Sequence, residues 1–309
     1  MKNYFDFTLT GKKLLPVWLL FYALFITPYV CLIFTLKNIQ QGKMPNPYIF
    51  PLFLVLFLTA FALTFYIVKL IIGHFVFKGK NIVFEGSFGG FIAKILLGYL
   101  LSMITLGIYM PWFMRDMHSF FIDNSSYDSA PFKFKGTGGK LFKIFLLTLF
   151  LPMIVLSIIM VKFVLSYSGQ QIPLFISYIQ QVITWIILIP YMYCFYKWAL
   201  DIDYKNYNIS WETKFWDSCL QFAIQIFLTI ITFGIYMPMA ILKLYKYFAE
   251  RTVAANGEVK RNFGFDNDDR KDFLFIWGQI LLTIVTLGIY YPWHLCNILK
   301  RLTSKTYVE

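Results

Sequence analysis

Thr105-Leu106-Gly107-Ile108-Tyr109-Met110-Pro111 is written three times in this chain. It returns as Thr232-Phe233-Gly234-Ile235-Tyr236-Met237-Pro238 and as Thr286-Leu287-Gly288-Ile289-Tyr290-Tyr291-Pro292. Each copy closes an apolar segment of helical length with a Gly that loosens the helix, a Tyr suited to a membrane interface, and a Pro that cannot donate to the preceding turn. Such a stretch is punctuation in a helical array, not a catalytic motif. The fold it points to is an all-α polytopic membrane protein: seven hydrophobic helices in tandem duplication, with short β-hairpin cassettes at the membrane surface.

Composition sets the solvent. With 59% hydrophobic residues, 14% charged residues and a mean hydropathy of +0.63, the chain belongs in a membrane. Segments 14–36, 48–72, 141–165 and 172–196 each exceed the roughly 20 apolar residues needed to cross a bilayer core. Segments 91–110, 216–237 and 273–291 are the three that end in the punctuation. Lys2, Lys12 and Lys13 precede an apolar run too long for a secretory signal and lacking a small-x-small cleavage site, so the run reads as a retained first span.

Residues recur at a fixed offset. Thr105 and Thr232, Phe5 and Phe132, and Asn81 and Asn208 all stand 127 apart, and a further shift of 54 carries Thr232 to Thr286 and Asn208 to Asn262. The expected organisation is a first repeat unit over 1–127, a second over 128–254 and a partial third over 255–309, all within one integral-membrane domain. Residues 1–118 and 128–245 should then superpose. Around the helices lie short alternating segments, Phe5/Phe7, Ile82/Phe84, Phe132/Phe134, Ile209/Trp211 and Phe263/Phe265, whose period of two reads as strand.

The run Gly107-Ile108-Tyr109-Met110-Pro111-Trp112, then Asn124, then Pro131-Phe132-Lys133-Phe134-Lys135-Gly136-Thr137-Gly138-Gly139-Lys140-Leu141-Phe142 resembles the signature of the YjgN-like bacterial inner-membrane proteins. That family is domain of unknown function number 898, and the resemblance covers nearly the whole chain. Members usually carry an Arg/Lys-rich stretch after the Pro-Trp and a Thr-Arg pair further on. Here Phe113-Met114-Arg115-Asp116-Met117-His118 is less basic, and Ser125-Ser126 replaces the pair. The resemblance implies a multi-pass protein of the bacterial inner membrane and supplies no activity.

Charge argues topology, because cytoplasmic segments accumulate Lys and Arg. If all seven helices cross, 15 of the 28 basic residues fall inside, which is no bias. If the three punctuated helices enter and return, or lie in the interface, only Lys37, Lys43 and Lys162 fall outside and 25 are inside. The second arrangement gathers every strand-like cassette on one face. A seven-span inverted repeat of the transporter kind is its competitor.

Chemistry-bearing sets are sparse. His74, His118 and His294 are scattered without metal-ligand spacing, and Cys31, Cys194, Cys219 and Cys296 read as packing residues. No nucleophile elbow, metal set or phosphate loop is written, so neither an enzyme nor a cofactor is expected. Glu85, Glu212 and Asp266 each stand 20 residues before a punctuating Thr. They read as acids stabilising helix starts through the dipole, with a ring of acids at a pore mouth as the functional alternative. Thr105, Gly107, Tyr109, Pro111, Thr232, Gly234, Tyr236, Pro238, Thr286, Gly288, Tyr290 and Pro292 are the candidate helix-break residues. Each helix should bend or end between its Gly and its Pro, and Tyr109, Tyr236, Thr105 and Thr232 are the expected lining of a small polar cavity. The partner is the lipid bilayer, anionic at the cytoplasmic face, and the net charge of +12 needs no nucleic acid. The functions this leaves are a channel or transporter for a small solute or, in the alternative, a non-catalytic membrane scaffold that binds lipid or partner proteins.

Overall fold

The computed structural model describes residues 2–42, 47–167 and 174–309. Lys43, which the charge tally used, and residues 172 and 173 of one expected span lie outside them.

The strand-like cassettes decide the architecture. They pair into one antiparallel sheet of eleven strands: β1 (Asn3–Phe7), β2 (Phe75–Phe77), β3 (Lys80–Asn81), β4 (Val83–Phe84), β5 (Ser125–Tyr127), β6 (Ala130–Phe134), β7 (Ile202–Tyr204), β8 (Tyr207–Trp211), β9 (Thr252–Ala255), β10 (Lys260–Phe265) and β11 (Thr306–Val308). The spatial order is β3-β2-β1-β11-β10-β9-β8-β7-β6-β5-β4, which is chain order read around a circle. At one point the circle closes through the chain: Ile82 alone separates β3, on β2, from β4, on β5. Three strands along, the two termini join it, with Asn3 opposite Val308 and Tyr4 opposite Tyr307. A nearly closed ring leaves little unpaired edge, which is how strands this short stay soluble and in register. Sequential strands on one side of the ring are joined by tight turns. Positive φ at Lys78 (47°) and Gly79 (75°), and at Asp128 (50°) and Ser129 (59°), gives two of these turns the twist a hairpin prefers.

On the other side of the ring the connections are five helical hairpins. The first is α1 (Gly11–Gln40) with α2 (Ile49–Gly73), and the second is α3 (Phe88–Ile104) with α4 (Met110–Asp123). The third joins α5 (Gly138–Phe145), a π-helical segment (Leu146–Phe150) and α6 (Leu151–Ser166) to α7 (Leu174–Ala199). The fourth and fifth are α8 (Phe215–Ile231) with α9 (Met237–Arg251), and α10 (Asp269–Val285) with α11 (Tyr291–Thr303). Each hairpin is pinned where it leaves the ring by one aromatic residue buried against the hairpin's own helices: Phe7, Phe84, Phe134, Trp211 and Phe265. A backbone latch follows each of them. The next residue's N–H donates to the carbonyl that precedes the returning strand: Thr8 to His74 at 3.0 Å, and Glu85 to Asn124, Lys135 to Asp201, Glu212 to Arg251 and Asp266 to Lys305, each at 2.9 Å.

Two expectations fail here. The fold is not all-α, because the cassettes are not separate surface hairpins but members of one ring whose partners lie up to the full chain length apart. Nor are there seven spans. Among the described residues three helices are long and apolar enough to cross a membrane, Gly11–Gln40, Gly138–Ser166 and Phe175–Ala199. The punctuated helices, α3, α8 and α10, instead turn back on themselves and return to the ring.

Candidate functional site

At each punctuated turn the helix ends before its Gly, at Ile104, Ile231 or Val285. After the capping Thr, two residues adopt left-handed backbone: Leu106 (φ 49°) and Gly107 (89°), Phe233 (49°) and Gly234 (85°), and Leu287 (49°) and Gly288 (89°). The Gly107 N–H reaches the Ser102 carbonyl at 2.7 Å and the Leu106 N–H reaches Met103 at 3.2 Å, the crossed pair that satisfies a helix's last carbonyls. Thr105, Thr232 and Thr286 each accept the backbone N–H of Tyr109, Tyr236 or Tyr290 at 3.0 Å, which folds the chain into the second helix. Pro111, Pro238 and Pro292 then sit in the first turn of α4, α9 and α11, where a missing N–H costs nothing. The proline therefore starts a helix and does not break one, and the break covers 105–109, 232–236 and 286–290, beginning two residues before each Gly and ending before each Pro.

The structure also shows how deep the turns reach. Trp18 donates its indole N–H to the Gly288 carbonyl at 3.0 Å and stacks on Tyr291, while the Tyr22 hydroxyl donates to the Leu287 carbonyl at 2.7 Å. Trp18 and Tyr22 stand only about 10 and 16 Å along α1 from Gly11, at 1.5 Å per residue, on a helix about 45 Å long. The fifth hairpin thus ends against the first third of a spanning helix. In the same manner Trp277 of α10 donates to the Ile235 carbonyl at 3.0 Å and holds the fourth turn.

Two glycines make these contacts possible. A Cβ on Gly11 would lie 2.5 Å from the Trp293 ring, and one on Gly138 would lie 2.4 Å from Trp112. Each tryptophan that follows the punctuating proline seats on a bare backbone at the start of the neighbouring long helix. Gly138 is therefore a packing surface.

The three tyrosines do not converge on one cavity. Each turns its hydroxyl into its own hairpin: Tyr109 to Asp116 (3.4 Å), Tyr236 to Gln225 (3.1 Å) and Tyr290 to Gln279 (3.3 Å). In the fifth hairpin this becomes a polar ladder between α10 and α11. Asn297 also donates to Gln279 (2.9 Å), Thr283 meets His294 Nδ1 (3.1 Å), and at the ring end the fully buried Asp272 accepts from Arg301 and Lys305 at 2.6–2.7 Å.

Glu85, Glu212 and Asp266 are latch residues. Their helices start later, capped at Ser87, Lys214 and Asp268, so they do not act on the helix dipole from the first turn. The same latch position holds Thr8 and Lys135 in the other two hairpins, so a carboxylate is not required there. Glu212 pairs with Lys260 at 2.5 Å. Asp266 pairs with Lys2 at 2.9 Å and accepts from the Tyr4 hydroxyl at 2.7 Å, a contact across the termini that helps close the ring. The Lys2 and Tyr4 hydrogen bonds hold the Asp266 carboxyl below its ordinary range, and Asp266 pushes Lys2 up to about 12.

Sequence reasoning missed Trp18, Tyr22, Trp277 and Asp272. The first three sit in helices where aromatic residues read as interfacial anchors, and Asp272 lies one residue outside the apolar segment.

Together these features define a membrane protein of mixed build, a strand ring carrying helical hairpins of two lengths. Residues 2–269 match the family described as "Bacterial protein of unknown function (DUF898)", and the chain belongs to it. It is also 38% identical over 79 residues to the inner membrane protein YjgN of Salmonella typhimurium (strain LT2), a stretch covering 26% of this chain and 20% of that protein. The chain thus aligns with about a fifth of that relative's length. No solved structure matches.

Proposed function

We propose that this protein is a non-catalytic, lipid-embedded scaffold of the bacterial inner membrane that displays the strand ring at the cytoplasmic face. One observation carries the reading: all five hairpins leave and rejoin the same ring, and the fifth ends against the first third of α1. In this reading the long hairpins anchor the ring, the three short ones lie within the ring-side leaflet, and their tips, Leu106 (94% exposed), Phe233 (98%) and Leu287 (78%), face acyl chains. A cavity of about 660 Å³ between α6 and α7 is apolar, lined by Val155, Ile159, Ile179 and Ile183. The basic residues gathered on the ring side then meet anionic headgroups. The 127-residue offset and the matched bonding of the three turns support descent from tandem hairpin units.

Cysteine labelling in intact cells tests the orientation. Cysteines placed at Asp128 and Asn206, both in ring-side turns, should resist an external impermeant thiol reagent; modification from outside would overturn the reading.

Conduction of a small solute is the second reading, and the polar ladder of the fifth hairpin is the observation that favours it, since ionisable groups at membrane depth mark transport paths. Solute flux in liposomes that is lost in Gln279→Leu with folding intact would replace the scaffold reading with this one.

A further inference from the structure

The strand ring has two faces, and its register tells them apart. Residues opposite one another on paired strands point the same way, so Phe5 with Phe77, Phe132 with Tyr204, and Tyr204 with Tyr207 mark one face. The alternate positions, among them Asp6, Lys133, Asp203, Asn208 and Lys260, mark the other. The aromatic face is the concave one. Ring centroids of Phe5 and Phe263 lie 6.1 Å apart, those of Phe77 and Tyr127 5.7 Å, and those of Tyr127 and Tyr204 6.0 Å, although none of these residues sits on strands that pair with one another. Strands two places apart stand about 9–10 Å from each other, and only inside a closed ring do their side chains converge.

These side chains make a collar around the mouth of the ring. From Phe263 it runs through Phe5, Phe77, Tyr127 and Tyr204 to Tyr207, the register partner of Tyr204. Arg261 completes the circle: its guanidinium lies 5.2 Å over the Tyr207 ring, two residues before Phe263 on the same face of β10. Tyr127 and Tyr204 give their hydroxyls to the wall itself, to the Phe77 and Tyr127 carbonyls at 2.9 Å each, which ties the phenols along the wall and not across the opening. Collar side chains are half-buried or, for Arg261, exposed, whereas Phe7, Phe84, Phe134, Trp211 and Phe265, one step toward the helices on the same face, are buried. The mouth is therefore an open cup with a sealed floor. A ring of this many strands measures roughly 15–20 Å between backbones, room for one small molecule among the side chains.

The chemistry of the cup selects its guest. Aromatic walls favour a flat ring that can stack on them or meet their edges. Cations already stand over three of the rings, Lys78 over Phe77 (5.6 Å), Lys205 over Tyr204 (5.5 Å) and Arg261 over Tyr207, so a positively charged guest is disfavoured. Lys205 and Lys80 share the Asp128 carboxylate. Arg261 has no carboxylate partner among the described residues, and an exposed guanidinium in that state is a two-pronged receptor for one carboxylate. We propose that the cup binds a small planar aromatic carboxylate, its ring against the collar and its carboxylate paired with Arg261. A linear acyl chain makes no use of flat walls, and a phosphodiester polymer needs several unpaired cations where the inner face offers one. The site lies wholly within the ring, so it stands under either reading of the hairpins.

Isothermal titration of naphthoate into the full-length protein in nanodiscs, with empty nanodiscs as the blank, tests this. Wild type should bind naphthoate saturably. Naphthamide and naphthylmethylammonium keep the ring but lose the negative charge, and each should bind at least about tenfold more weakly, as when a charge-assisted hydrogen bond is lost. Arg261→Gln should weaken naphthoate to the level of the amide and leave the amide's own affinity unchanged. Lys133→Gln, which removes the same charge from the outer face of β6, should change neither. Absence of saturable naphthoate binding, equal binding of the ammonium analogue, or unchanged affinity in folded Arg261→Gln would each overturn the proposal, and decanoate binding as tightly as naphthoate would overturn the choice of an aromatic guest. If Arg261→Gln does not fold, the comparison of naphthoate with its amide and ammonium analogues on wild type decides alone.

Discussion

Gly138 and Gly139 are adjacent in one helix, and the structure assigns them opposite responses to the same substitution. A Cβ on Gly138 falls 2.4 Å from Trp112 Cδ1 and 2.7 Å from its Cγ, whereas one on Gly139 meets nothing within 4 Å. Trp112 is held from its other side by Phe142, at 5.2 Å between ring centroids, and by Tyr109, so it cannot swing clear. Overpacking of this kind costs about 1–3 kcal/mol. Replacing a helical Gly by Ala gains up to about 1 kcal/mol, less near a helix start, and that gain applies to both sites. Gly139→Ala should therefore be neutral or stabilising by up to about 1 kcal/mol, and Gly138→Ala should destabilise by about 1–2 kcal/mol once the gain is subtracted. Equilibrium unfolding in mixed micelles reads both, with near-ultraviolet circular dichroism reporting the Trp112 environment. If the two variants shift stability in the same direction by the same amount, Trp112 does not seat on Gly138, and the docking of the second hairpin against the long helix is wrong.

Trp18→Phe keeps a ring on Tyr291 but removes one of the two donors to the Gly288 carbonyl, which retains the Tyr291 N–H. It should cost about 0.5–1.5 kcal/mol and raise the thiol reactivity of a cysteine placed at position 287; unchanged reactivity would show that α1 does not hold the fifth turn. Asp272→Ala leaves Arg301 and Lys305 facing each other without their shared carboxylate. It should destabilise by about 3–5 kcal/mol, as breaking a buried ion pair does, and a loss under 1 kcal/mol in chemical unfolding would contradict the burial of that cluster. The Lys2–Asp266 pair gives ring closure a pH dependence. Because the folded Asp266 carboxyl lies below its unfolded value, its contribution is present above about pH 4 and is lost as pH falls through the folded value. Hydrogen exchange of β1 amides should speed up on acidification in the wild type, and Asp266→Asn should flatten that response; a wild-type profile independent of pH would refute the closure role.

Much was legible in the residues themselves. The membrane setting follows from apolar segments that no aqueous fold of this size would carry. The three turns were visible as a repeated string, because their geometry is local: Thr, Gly, Tyr and Pro each act on backbone groups within five residues, and a local rule leaves a local signature. The cassettes were visible too, since alternation at period two is fixed by the strand's own pleat.

What each local signal was for depended on distant partners. A proline six residues after a threonine can end one helix or begin the next, and the left-handed pair at Leu106 and Gly107 chose the second. An apolar helix of seventeen residues can cross or return, and the choice lay with Trp18, Tyr22 and Trp277 on neighbouring hairpins. Strands of two to six residues cannot declare a ring, because closing it pairs Asn3 with Val308 from opposite ends of the chain. By itself the sequence determined where the chain turns, which faces are apolar and that it lives in a membrane. Tertiary structure alone decided that the strands form one ring and that three helices return to it, because pairing partners and docking depth are set by contacts between segments that no local pattern encodes.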